Sequence, residues 1–198
     1  MLVFSLFSPL LAWLHHLHHR GFKVDYLFAP FFIFRFNELH KLHHAVANTP
    51  NDFGHPTKGE SVYKNILINI WIEMDGAVFQ FLFFVLFHIL TGFKIMPFCI
   101  FSGIWMRVFN YCHHYGLEKL GFPRIAWENK HSWMSWAYAN ADAHSTHHVA
   151  PSCKLSEMIA KKSTPKLPYN LFLCAIISLF PPLWFKIMDA RLNEYISK

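Results

Sequence analysis

The sequence predicts an all-α integral membrane protein, a transmembrane helical bundle with a metal site of clustered histidines facing the cytoplasm. Three observations predict it. Of 198 residues, 54% are hydrophobic, 22 are Phe and only 15% are charged, far from the balance of an average water-soluble domain. Histidines come in tight groups: His-x-x-His-His occurs at His15, His18 and His19, at His40, His43 and His44, and at His144, His147 and His148. Positions i, i+3 and i+4 are neighbours on a helix, and neutral imidazole is the commonest nitrogen ligand of first-row metals. Finally, of 18 Lys and Arg residues only Lys94 lies between the two most apolar segments, which by the positive-inside rule puts the histidines on the cytoplasmic side.

Taken in order, residues 2–20 read as a helix that ends at Gly21 and carries His15, His16, His18 and His19 at its far end. Only about 14 apolar residues precede His15, fewer than the ~20 that cross a bilayer, and no basic segment or small-residue cleavage site marks a signal peptide. The segment is expected to be the end of a membrane helix. "VDYLFAPFFIFRF", broken at Pro30, is placed at the membrane interface, where aromatic residues are at home. Asn37–Val46 forms the second histidine helix, and Ala47–Ser61, dense in Pro, Gly, Asn and Asp, is a loop with His55 as an exposed turn residue. The crossing part of the next segment is Ala77–Leu90, after Glu73, Asp75 and Gly76. With Ile95–Phe109 it makes a helical hairpin, each arm near the lower limit for spanning, and His88 is a lone interface histidine. Asn110–Gly121 reads as a polar connection. Leu171–Phe180, too short to span and ending at Pro181 and Pro182, fits an interfacial or re-entrant helix.

Other classes are disfavoured. The net charge is +6, but the basic residues are scattered and form no stripe for nucleic acid. Cys99, Cys112, Cys153 and Cys174 have no C-x-x-C spacing, so buried free thiols are expected in place of a disulfide framework or a zinc ribbon. Trp127, Trp133 and Trp136 are expected to pack or to sit at the lipid interface. Nine or more imidazoles exceed one zinc site and suit two metal ions. Imidazole admits Zn, Cu, Fe or Ni, and the acidic residues are too few for the Glu/His di-iron site of soluble four-helix bundles.

Several motifs carry a resemblance. "NYCHHYGL", "KHSWMSW" and "HSTHHVAP" resemble, in order, N-Y-x-E-H-Y-G-L, H-S-W-N-S and H-S-D-H-H-A-x-P of the integral-membrane alkane monooxygenases, members of the histidine-box superfamily that also includes membrane desaturases and xylene monooxygenase. "HHAVANTPNDFGHPTKGESVY" and "LPYNLFLCAIISLFPPLWFKIMD" are similar to two further family segments, and the likeness runs from about Trp13 to Arg191.

The resemblance implies the ligand set His15, His19, His40, His43, His44, His114, His144, His147 and His148. His16 and His113 stand where the family has Glu, and the gap after His40 is one residue shorter than is usual in the alkane hydroxylases. Glu38, His113 and Asp142 are the candidates to hydrogen-bond or orient the ligands. Residues 1–198 are expected to form one histidine-box domain lacking most of the family's N-terminal membrane helices. The implied activity is a non-haem di-iron monooxygenase with two Fe, which uses O2 to hydroxylate a hydrophobic substrate such as an alkane terminus. With no G-x-G-x-x-G fingerprint in the chain, electrons come from rubredoxin or ferredoxin. Membrane lipid is a further partner, nucleic acid is not, and homo-oligomerisation is left open. Two alternatives stand beside this reading: a fatty acyl desaturase/hydroxylase or aromatic-methyl monooxygenase with the same site, and a non-catalytic metal-binding remnant or incomplete subunit.

Overall fold

A computed structural model describes residues 7–120, 125–129, 135, 138–140, 143–158 and 164–197. The fold is all-α. Its helices are α1 (Phe7–His19), α2 (Asp25–Phe28), α3 (Phe36–Val46), α4 (Val62–Met74), α5 (Val78–Leu90), α6 (Met96–His114), α7 (His144–Val149), α8 (Leu171–Ser178) and α9 (Pro181–Ile196). Among the described residues the one β-type pairing is an isolated parallel bridge between Glu128 and Lys166.

Helix α6 is the axis, packed by α1, α4, α8 and the 3-10 turn Ala29–Phe31. From Arg107 to His114 all its residues except Asn110 are buried, as expected of a helix enclosed on every side. It extends as far as His114, into the segment that the sequence reads as a polar connection. Gly103 allows the closest approach, since a Cβ there would lie 1.9 Å from the Phe31 carbonyl oxygen. Arg107 donates to the Phe32 carbonyl at 2.7 Å, and from α5 His88 donates to the Pro30 carbonyl at 3.0 Å.

Two expectations are corrected here. The aromatic stretch around Pro30 is interior, with Phe28, Ala29, Phe31 and Phe34 all buried, because α5 and α6 satisfy its carbonyls. His88 is wholly buried as one of those donors, not an interface residue. The arms of the expected hairpin thus share a protein segment that both pack against.

At the other end of α5, the chain bends by 104° from α4 through Gly76, whose φ of +74° suits glycine. Arg35 braces the bend, donating to the Asp75 carbonyl at 2.6 Å, while its backbone N–H donates to Gln80 Oε1 at 2.8 Å. Among the described residues no single helix is long and apolar enough to cross a membrane; α4 and α5 meet that test only as a bent pair.

A further correction concerns a polar segment. His55 is buried and donates to Glu118 Oε2 at 3.1 Å, so it is a loop anchor and not an exposed turn residue. α8 ends at Ser178, and Pro181 and Pro182 open α9, where a missing N–H costs nothing. Trp184, Met188 and Leu192 recur every fourth residue along α9 and are buried, with the Trp184 ring 5.9 Å from that of Tyr111 on α6. The cysteines are free; Cys99, Cys112 and Cys174 are buried and Cys153 is partly exposed.

Candidate metal centre

The histidines of α1, α3, α6 and α7 converge. His15, His19, His40, His44 and His147 form one group; His43, His114, His144 and His148 form another, and within each group one ring nitrogen per residue lies within 4.8 Å of all the others. The groups abut, with the rings of His44 and His148 4.4 Å apart. The His-x-x-His-His segments of α3 and α7 are each divided between them, the i and i+4 members in one group and the i+3 member in the other, and the two helices do this in opposite senses, whereas α1 gives His15 and His19 to the first group and His18 to neither. His40 and His44 join His147, while His144 and His148 join His43.

The nitrogens are too close for hydrogen bonding to explain them. His40 Nε2 is 2.7 Å from His15 Nε2 and 2.9 Å from both His19 Nε2 and His44 Nε2. A ring nitrogen has a single in-plane position, for a proton or a lone pair, and cannot bond three rings at once. In the second group the Nε2 atoms of His114, His144 and His148 are 3.1, 3.1 and 3.2 Å apart. Metal–imidazole bonds of about 2.0–2.1 Å separate neighbouring ligand nitrogens by about 2.9 Å at right angles and about 3.4 Å at the tetrahedral angle. The observed spacing is that of nitrogens around a cation. Among the described residues His43 Nε2 and His147 Nε2 are buried without a hydrogen-bond partner, as nitrogens reserved for a metal would be.

The other ring nitrogen sets the tautomer. His43 Nδ1 donates to both carboxylate oxygens of Asp52, at 2.9 and 3.0 Å, and His114 Nδ1 donates to Asn48 Oδ1 at 3.0 Å. With the proton on Nδ1, each Nε2 presents a lone pair to its group. Burial, reinforced by neighbouring imidazoles, holds His40, His144, His147 and His148 well below their ordinary value, so these rings are neutral and able to ligate.

The remaining sequence candidates divide. His113 stacks on His144, a member of the second group, ring centroids 4.3 Å apart, and donates Nδ1 to the Trp127 carbonyl at 2.5 Å. Glu38, two residues from His40, projects from a different side of α3, and its largely exposed carboxylate is bound by Arg35 at 2.6 Å. His16 and His18 are outside both groups, His18 lying edge-on to Phe36. Trp127 is a packing residue, buried and donating to the Tyr115 carbonyl at 2.8 Å. Asp142, Trp133 and Trp136 lie outside the described residues. Asp52 and Asn48 were not foreseen, and the signal for them was an Asn and an Asp in the turn directly after the second histidine box.

A cavity of about 590 Å³ opens beside the histidines, lined by His15, His40, His43 and His144 and by apolar side chains including Phe28, Phe36, Leu39 and Phe109.

No family model matches the chain. Alkane 1-monooxygenase 2 of Alcanivorax borkumensis is 24% identical over 89% of this chain and 53% of its own length. The protein of the same name from Pseudomonas aeruginosa is 23% identical over 89% of this chain and 54% of its own length. The chain resembles the alkane monooxygenases. It spans about half the length of these relatives. A shorter match, 32% identical over 40% of this chain and 22% of the relative, is to the xylene/toluene monooxygenase hydroxylase component of Pseudomonas putida. These similarities are consistent with the histidine-box hydroxylase/desaturase superfamily, and the two histidine groups match the arrangement of a non-haem di-iron centre of the monooxygenase type.

Proposed function

We propose that this chain is a membrane-bound monooxygenase that hydroxylates an unactivated C–H bond of a hydrophobic substrate, such as an alkane terminus, with O2 and electrons from a rubredoxin- or ferredoxin-like donor. The observation that carries the reading is the sorting of nine imidazoles into two groups beside a cavity with mainly apolar walls. His15, His19, His40, His44 and His147 would hold one iron, and His43, His114, His144 and His148 the other. When bound, the irons supply the oxidising power. The chain positions the substrate, excludes water and keeps the ligand rings neutral.

A membrane location is supported by the outward faces of α4 and α5, where Trp71 is 81% and Phe79 77% exposed. Apolar surface on this scale calls for a partner or for lipid. Residues 1–198 form one histidine-box domain, with its metal face on the cytoplasmic side. Each of the xylene/toluene monooxygenase match and the shared superfamily supports a second reading, the same centre acting on an aromatic methyl group or a fatty acyl chain.

The test is elemental analysis of the chain purified in mild detergent, with His148→Ala as control, followed by hydroxylation of an alkane coupled to an external reductant. Two irons per chain, reduced in the variant, with an alcohol as product, is the expected result. An alkene product would favour the desaturase. Zinc, or no stoichiometric metal, in well-folded protein would sink the monooxygenase reading.

A further inference from the structure

Helix α7 carries His144, His147 and His148 within six residues, well below the roughly 12–15 at which a helix holds its own shape in water. Its placement must therefore come from the parts it bonds to. Ser145, only 3% exposed, bonds in both directions to a single residue. Its Oγ donates to the Ala126 carbonyl at 2.8 Å and accepts the Ala126 N–H at 3.0 Å, which a hydroxyl can do from one atom.

The next residue is tied to α6. The Trp127 N–H donates to the His113 carbonyl at 2.7 Å, and the Trp127 carbonyl accepts from His113 Nδ1 at 2.5 Å. All four backbone polar groups of Ala126 and Trp127 are thus taken by two residues, each the chain neighbour of a histidine of the second group: Ser145 follows His144, and His113 precedes His114. The segment between them is anchored in its turn. The Glu128 N–H donates to the Pro165 carbonyl at 2.8 Å, the Glu128 carbonyl accepts the Leu167 N–H at 2.9 Å, and the Glu128 carboxylate is bound by Lys166 and Thr164. Ala126 and Trp127 are buried, so bulk water cannot replace a lost bond, and a buried backbone group left unpaired is destabilising.

We propose that Ser145 is a positioning residue of the second metal site. Through Ala126 and Trp127 its hydroxyl ties α7 to α6 in the register at which His144 Nε2 and His148 Nε2 each stand 3.1 Å from His114 Nε2, so that this part of the site is assembled before metal arrives. The first site depends on Ser145 less, because α7 gives it only His147 whereas α1 and α3 give it four rings. The proposal rests on the reading of the two histidine groups as metal sites.

The experiment is a graded chelator titration of the full, iron-loaded chain in detergent, with bound iron and the unfolding midpoint read on the same samples. Ser145→Ala should weaken one of the two irons about 10–100-fold, the effect of a lost outer partner, and the other by much less. Coupling identifies which one. On a His148→Ala background, where the second site is already damaged, Ser145→Ala should weaken the remaining iron little; on a His19→Ala background it should act in full on the second site. Equal weakening of both irons, or full additivity with His148→Ala, is what a general loss of stability gives and overturns the proposal, as does unchanged binding. Should Ser145→Ala fail to fold, amide hydrogen exchange of the wild-type chain decides. With the metal removed, the Ala126 and Trp127 N–H groups should stay protected; loss of their protection would mean that the metal, not Ser145, holds the segment, and would overturn the proposal. Two irons in the wild-type chain with binding unchanged in Ser145→Ala sink this proposal only. No stoichiometric metal in well-folded wild-type protein sinks the reading of the metal centre, and this proposal with it.

Discussion

His43 sits between a carboxylate and the second histidine group: its Nδ1 donates to Asp52 at 2.9 Å, and its Nε2 joins His114, His144 and His148. Asp52 in turn is held by the backbone N–H groups of Asn48 and Gly54, both at 3.1 Å, so the loop after α3 fixes the ring that α3 supplies. Such outer partners are worth about 10–100-fold in metal affinity. Asp52→Ala is expected to weaken one of the two metals by that order, and Asp52→Asn by less, in a competitive chelator titration. Unchanged affinity at both sites would show that Asp52 does not support a ligand.

Adjacent residues His147 and His148 belong to different groups. His147→Ala leaves four nitrogens in its group, whereas His148→Ala leaves three. The expected result is a larger loss of bound metal in His148→Ala than in His147→Ala under the same chelator challenge. Equal losses would argue for a single shared site.

The buried imidazoles also set a pH dependence. Burial keeps His40, His144 and His148 neutral, well below the ordinary value of 6.5. Below that value the unfolded chain binds protons that the folded chain does not, so their contribution to stability is present above pH 6.5 and is lost as pH falls. Metal adds in the same direction, because protons compete for the same nitrogens. Thermal unfolding of the metal-free chain should move to lower temperature from pH 7 to pH 5 and stay nearly level from pH 7 to pH 8. A midpoint that rises on acidification would contradict the buried, neutral histidines.

Gly103→Ala tests the axis of the fold. The new methyl group would stand 1.9 Å from the Phe31 carbonyl oxygen, a backbone atom held in place by its neighbours' bonds to His88 and Arg107. Separating α6 from this segment should cost about 1–3 kcal/mol or more, read as a lower unfolding midpoint. A variant as stable as the parent would mean that the two segments are not closely packed.

The amount legible in the sequence differed from element to element. The His-x-x-His-His spacing identified the second and third boxes as helical, and α3 and α7 are helices there, because a 3.6-residue period can be read locally. His55, His88 and the Pro30 segment were misplaced, because their burial comes from Glu118, Pro30 and α6, which are distant in the chain. Glu73 reads as an interruption of an apolar run, and only packing shows that it pairs with Arg107, 34 residues on.

The sequence by itself determined that nine imidazoles would be available, eight of them on helices, and that their number suits two metals. Tertiary structure decided how they are shared. Spacing of i, i+3 and i+4 makes three rings neighbours on one face, but α3 and α7 confront each other so that the i+3 ring of each completes the other's i, i+4 pair. Which nitrogen meets which metal depends on the relative placement of two helices about a hundred residues apart, and no local pattern encodes that placement. The same holds for the protons on His43 and His114, which are set by Asp52 and Asn48 in a loop that sequence alone reads only as a turn.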